Sequence, residues 1–439
     1  MRTPIYDFIR NYATRGEARL HMPGHKGVGE LGEAYDITEV RGADSLYEAD
    51  GIIAESEGIA SEIFGARTYY SAEGSSLAIR ATVYLISLYA KSIGRRPLIF
   101  AARNAHKSFI SAVSLTDVDV EWLVSESDSY LSSGITAEVV RRALSEADEL
   151  PAAVYLTSPD YLGNIADVRK IGAACHEFGV LLAVDCAHGA YLKFLGQQLH
   201  PMALGADIAC ASAHKTLPVL TGGAYLHIAN GAPKILTENA RVAMSLFGSS
   251  SPSYLILASL DKFNGNIPDF KGFIKKIDEM KSTLTEHGYR FVGDEPMKIT
   301  VDAKDYGYLG RELADEMAVR GVEAEFSDPD FIVFMPSPMN DHMALGRLYS
   351  ALLTTPKRAK IATRPPSFVL PERILSAREA MLAERETLPL YECVGRILAA
   401  VTVGCPPAVP IAVAGERISR EVAAAFEYYG YDRLTVVKQ

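Results

Sequence analysis

Between residues 97 and 228 the chain alternates short apolar runs with longer stretches of helical period. Continuous apolar runs at 97–102, 152–157, 180–184, 206–211 and 223–228 predict strands buried on both faces. Helical patterns at 137–147 and 167–178 fall between them, and two more, at 53–64 and 76–93, come before. Strands that alternate with helices in this way predict an α/β fold around a largely parallel sheet. Asn164 is placed to cap the helix that starts at Asp167, and Gly179 to close it before the next strand.

Residues 1–50 show no sustained period and predict an irregular N-terminal arm ahead of a large domain at 51–265. The pattern changes again at Asn264-Gly265-Asn266-Ile267-Pro268. A smaller α+β domain is expected over 266–362, with a strand at 331–335. Ala362-Thr363-Arg364-Pro365-Pro366 reads as a linker into a last segment, 363–439.

Composition narrows the class without naming it. A chain of 439 residues with 48% hydrophobic and 22% charged positions has ample material for a large core. Its net charge of -10 is spread along the sequence, which fits a solvated surface and argues against nucleic acid, whose phosphates need basic clusters. Five cysteines (Cys175, Cys186, Cys210, Cys393 and Cys405) form no Cys-x-x-Cys pair and suit reduced thiols. The N-terminus has no apolar signal core and no uncharged stretch reaches bilayer length, so no membrane partner is expected and the compartment expected is the cytoplasm.

The chemistry collects at strand ends, where open α/β sheets bind ligands. The first expected inner strand is followed by Asn104-Ala105-His106-Lys107-Ser108 and the second by Ser158-Pro159-Asp160. The next two end in Asp185-Cys186-Ala187-His188 and Ser212-Ala213-His214-Lys215. A lysine behind a buried strand can be desolvated enough to present a neutral amine for imine formation. A carboxylate ending the neighbouring strand can keep a pyridinium nitrogen protonated, which makes the ring an electron sink. Gly74-Ser75-Ser76, just ahead of a helix, is an anion site in waiting. Together these predict a pyridoxal-phosphate site with Lys215 carrying the cofactor as a Schiff base.

Two other motifs lead nowhere. Gly27-Val28-Gly29-Glu30-Leu31-Gly32 matches a dinucleotide fingerprint, but no strand precedes it and it reads as a loop. His21 and His25 have helical spacing, yet Pro23 and Gly24 lie between them, and no metal is expected.

The sequence resembles the ornithine/lysine/arginine decarboxylase family, of the aspartate-aminotransferase fold (type I). The resemblance is carried by His21-Met22-Pro23-Gly24-His25-Lys26-Gly27, Asp36-Ile37-Thr38-Glu39, Asn104-Ala105-His106-Lys107-Ser108, Asp185-Cys186-Ala187-His188-Gly189, Ser212-Ala213-His214-Lys215, Ser250-Ser251-Pro252-Ser253-Tyr254 and Gly415-Glu416-Arg417-Ile418. It implies that Lys215 holds the cofactor, that Asp185 pairs with the ring nitrogen, and that His106 and Ala187 flank the ring. Gly74, Ser75, Ser76, Ser212 and His214 would hold the phosphate. Ser250 and Ser251 would reach the phosphate of a second subunit, implying a homodimer with shared sites. At this length the family's N-terminal wing domain is expected to be absent. The implied reaction is loss of the α-carboxylate from lysine, ornithine or arginine, with the new C–H proton delivered by Lys215 or His188, in polyamine synthesis.

Several positions depart from the family pattern. Cys186 replaces a glutamate, Glu73 an asparagine and Gly222 a glutamine, and Gly404-Cys405-Pro406-Pro407-Ala408 replaces Pro-Tyr-Pro-Pro-Gly. A basic substrate needs a carboxylate for its distal cation, for which Glu416, Asp44 and Glu73 are the candidates. A different reaction on the same cofactor, such as transamination or a lyase step, and a catalytically idle homologue with a binding role stay open.

Overall fold

The computed structural model describes residues 1–125, 128–196, 198–400 and 409–439. Seven strands form the main sheet: β1 (Arg67–Ser71), β2 (Leu98–Ala102), β3 (Asp119–Leu123), β4 (Ala153–Thr157), β5 (Leu181–Asp185), β6 (Ile208–Ala211) and β7 (Ala224–Ile228). Their order is β1-β7-β6-β5-β4-β2-β3. β5 and β6 run parallel, with Asp185 opposite Cys210, while β7 is antiparallel to both β6 and β1. The five apolar runs are thus strands, and the sheet is mostly parallel as expected. β2, β5, β6 and β7 are buried at every position, as strands covered on both faces must be.

Six helices concern the site: α1 (Pro4–Thr14), α2 (Ile52–Phe64), α3 (Gly74–Ser92), α4 (Lys107–Thr116), α5 (Ala137–Glu146) and α6 (Val168–Glu177). The first corrects an expectation, since part of the N-terminal arm is regular. Pro4 occupies the first helical turn, where its missing N–H costs nothing, and Ile5, Ile9 and Tyr12 make a buried stripe. The Tyr6 N–H of α1 donates to Asp261 Oδ2 at 2.9 Å. Gly179 closes α6 at φ +63, as expected. Asn164 does not cap that helix: its amide donates to Asp160 Oδ2 at 2.7 Å and its own N–H to Asp160 Oδ1 at 2.8 Å.

Contacts divide the chain into two units that interleave in sequence. One comprises Met1–Ile99, Leu144–Tyr155 and Val168–Pro268; the other Phe100–Ala143, Leu156–Asp167 and Asp269–Gln439. The second unit holds a four-stranded sheet of β8 (Phe291–Val292), β9 (Ile299–Asp302), β10 (Phe326–Ser327) and β11 (Phe331–Phe334), in the order β10-β11-β9-β8. It also holds a two-stranded ribbon of β12 (Arg385–Pro389) and β13 (Arg433–Val437), behind which Ile418, Val422, Phe426 and Leu434 form a separate core cluster.

Candidate active site

Lys215 lies in the single helical turn Ala213–Thr216 that follows β6, with Ser212 as its N-terminal flank. Its Nζ is 3.1 Å from His188 Nε2, the imidazole supplied by the loop after β5. Asp185 ends β5 and is 1% exposed. Its Oδ1 accepts the Ala187 N–H at 3.1 Å and its Oδ2 the Tyr155 O–H at 3.3 Å. Burial pushes the Asp185 carboxyl above its ordinary value, while the Lys215 charge and these two donors pull it back.

The helix-start turn assembles on the same unit. Gly74, at φ +71, begins the nineteen-residue α3 and donates its N–H to the Gly222 carbonyl at 2.6 Å. Ser212 Oγ donates to Ser75 Oγ at 2.7 Å, so hydroxyls from two elements meet at that helix N-terminus. His214 Nδ1 faces the Gly223 carbonyl at 3.0 Å and therefore carries a proton. Burial lowers the His214 pKa from its ordinary value, Lys215 lowers it further, and the Gly223 carbonyl opposes both.

This donor set fits an aromatic cofactor bearing a phosphate and an aldehyde. The amine beside an imidazole, the buried carboxylate with acceptor capacity left, and the hydroxyls with backbone N–H groups at a helix start match its three reactive ends. Residues 3–269 match the family described as "Orn/Lys/Arg decarboxylase, major domain", and residues 363–433 match that family's C-terminal domain. The chain belongs to the Orn/Lys/Arg decarboxylase family. It is accordingly a pyridoxal-phosphate-dependent amino-acid decarboxylase.

Family relatives align along nearly the whole chain. An arginine decarboxylase of Bacillus subtilis is 29% identical over 458 residues, covering 95% of this chain and 92% of its own. One from Halalkalibacterium halodurans is 29% identical at 95% and 91% coverage. Among solved structures, the Francisella novicida lysine decarboxylase superposes with a TM-score of 0.78 at 18% identity, covering 99% of this chain and 81% of that one. That likeness shows a shared fold.

All three carboxylates nominated for the substrate's distal cation hold other partners. Glu416 forms a two-pronged ion pair with Arg103, at 2.6 and 2.7 Å, and also accepts the Val413 N–H at 2.8 Å. Both side chains are essentially unexposed, at 0% and 2%. Asp44 accepts backbone N–H groups from Ser45, Asp50, Gly51, Ile53 and Ala54, and so serves the start of α2. Glu73 is exposed, and its Oε1 accepts the Ser249 N–H.

His106 is exposed in the second unit, where its Nδ1 accepts the Ser108 N–H at 3.2 Å and so caps α4. Ser76 follows Ser75 in the first turn of α3. Ser250 and Ser251 are exposed in a bend before the helix Tyr254–Gly265, and Ser253 caps that helix. Gly27 to Gly32 lie outside helix and strand, as expected. The departures at 404–408 fall outside the described residues. Sequence reasoning missed Tyr155, which sits mid-strand in β4 and gave no signal beyond that of a core residue.

Proposed function

We propose that this chain decarboxylates arginine, releasing agmatine and CO2, with pyridoxal phosphate held covalently by Lys215. The observation that carries the site assignment is the Lys215 Nζ–His188 Nε2 contact of 3.1 Å in the same unit as the buried Asp185. Arginine is favoured over lysine and ornithine by the relatives: the full-length ones above are named arginine decarboxylases, whereas a Pseudomonas aeruginosa lysine decarboxylase matches at 23% identity over 59% of this chain.

Bound pyridoxal phosphate supplies the electron sink for the pair left behind as CO2 departs. The residues provide everything else. The Lys215 amine would hold the cofactor and, 3.1 Å from His188, would serve as a proton carrier. His188 Nε2 passes the proton that ends on the α-carbon. Asp185 would pair with the ring nitrogen, and Ala187 would lie against the ring. Ser75, Ser76, Ser212, His214 and the Gly74 N–H would hold the phosphate. Glu73, whose Oε2 has no hydrogen-bond partner among the described residues, takes the distal guanidinium. The exposed Ser250 and Ser251 reach the phosphate of a second copy in a homodimer, and the enzyme works in the cytoplasm, feeding polyamine synthesis.

The test is product analysis by mass spectrometry of cofactor-loaded wild type and Lys215→Ala with arginine, lysine and ornithine supplied separately. Agmatine from wild type alone supports the proposal. Cadaverine or putrescine instead would overturn the choice of arginine, and a keto acid without amine would overturn decarboxylation itself.

A further inference from the structure

We infer that Tyr155 is a positioning residue of this site, whose hydroxyl keeps Asp185 ionised so that the shared proton rests on the cofactor ring nitrogen. The inference depends on the assignment of Asp185 as the ring-nitrogen partner. The carboxylate is 1% exposed and, among the described residues, accepts one backbone and one side-chain hydrogen bond. The side-chain donor is the Tyr155 hydroxyl at 3.3 Å, itself in a residue 1% exposed. β4 and β5 are neighbours in the sheet, so the tyrosine reaches Asp185 from the adjoining strand.

The chemistry follows from a pair that holds one proton. An acidic carboxylate leaves the proton on the ring nitrogen, where it strengthens the electron sink. A basic carboxylate takes the proton and leaves a neutral ring. Burial drives Asp185 towards the second state, because desolvation disfavours its charged form. A hydroxyl donating to Oδ2 stabilises the ionised form and works against burial. Tyr155 is well suited to this duty, since its own ionisation is suppressed by burial and by the neighbouring Asp185 charge, and it remains a donor. Strand β6 contributes Cys210, whose thiol is held protonated by burial and lies 3.2 Å from Thr82 Oγ1, so no competing anion arises there.

Tyr155→Phe removes only the hydroxyl. With ring-15N pyridoxal phosphate bound, the nitrogen signal of the variant should move towards the unprotonated position, and kcat should fall about 5–20-fold with KM within about 2-fold of wild type. In cofactor-free protein the Asp185 carboxyl, followed by 13C NMR, should titrate roughly one unit higher than in wild type. In an Asp185→Asn background the same substitution should leave the 15N signal unchanged. A lowered melting temperature with unmoved 15N signal and carboxyl titration would reduce Tyr155 to a packing residue and overturn the inference. If wild type takes up no cofactor, the site assignment fails, and the carboxyl titration alone decides whether Tyr155 governs Asp185.

Discussion

Asp185 and Glu416 are both buried carboxylates, almost equally hidden from water, yet they are built in opposite ways. Glu416 is saturated: two guanidinium N–H groups and a backbone N–H cover its oxygens, and Arg103, whose guanidinium also lies 4.7 Å over the Trp122 ring, has its own charge matched. Asp185 accepts two neutral donors and keeps room for a third. A saturated carboxylate joins parts of a fold, whereas an undersupplied one costs stability and is available to a ligand. The burial of a carboxylate therefore says little about function until its donors are counted.

The sharpest way to break this contrast is to neutralise each acid in turn. Asp185→Asn should lower kcat/KM by about three orders of magnitude, roughly 4 kcal/mol of barrier, in steady-state assays. Its cofactor-free form should melt no lower than wild type, because a poorly satisfied buried charge has gone. Glu416→Gln should do the reverse, costing about 3–5 kcal/mol in denaturant unfolding because Arg103 is left buried and unpaired. The double change Arg103→Met with Glu416→Leu should recover most of that loss. If Glu416→Gln proves neutral, the pair is not the fixed joint that its geometry indicates.

Buried bases sharpen the comparison next. His200 and His227 are buried with ring centroids 5.4 Å apart, and neither ring nitrogen of His200 has a partner among the described residues. Burial pushes His200 down to about 3 and His227 well below its ordinary value. The unfolded chain binds protons at these positions near pH 6.5 while the folded one does not, so stability is lost as pH falls below about 6.5. From pH 6.5 to 5 the two together should remove about 3 kcal/mol, seen as a falling melting temperature. His200→Leu should roughly halve that slope. The smallest effect belongs to a half-exposed ion pair, Arg373 with Asp119 at 2.9 Å. Arg373→Ala should change unfolding free energy by at most about 1 kcal/mol.

The inner strands were legible because burial on both faces leaves an unbroken apolar run, as in Leu181-Leu182-Ala183-Val184. The edge strands β1 and β3 were not, since Arg67-Thr68-Tyr69-Tyr70-Ser71 and Asp119-Val120-Glu121-Trp122-Leu123 mix polar and apolar positions, as strands with a solvated side do. α1 was missed because its stripe is three side chains wide in an otherwise polar segment. At the candidate site, Lys215, His188, Asp185, Ser75 and Ser212 were readable as residues at strand ends or a helix start. The engagements of Asp44 and Glu416 were not, because both depend on donors that only the folded chain brings near. Tyr155 was invisible for the complementary reason, being one polar atom inside an apolar run.

Gly222 shows how a backbone can dictate its own residue. Its backbone is held at φ +98, with the Ala72 carbonyl oxygen 2.8 Å from where a Cβ would stand. The Gly222 carbonyl is also the acceptor for the Gly74 N–H, so it cannot withdraw without dragging the start of α3. Gly222→Gln would thus collide with the Ala72 main chain as well as with the Ile256 side chain. A side chain at 222 therefore requires the 72–74 turn to move first.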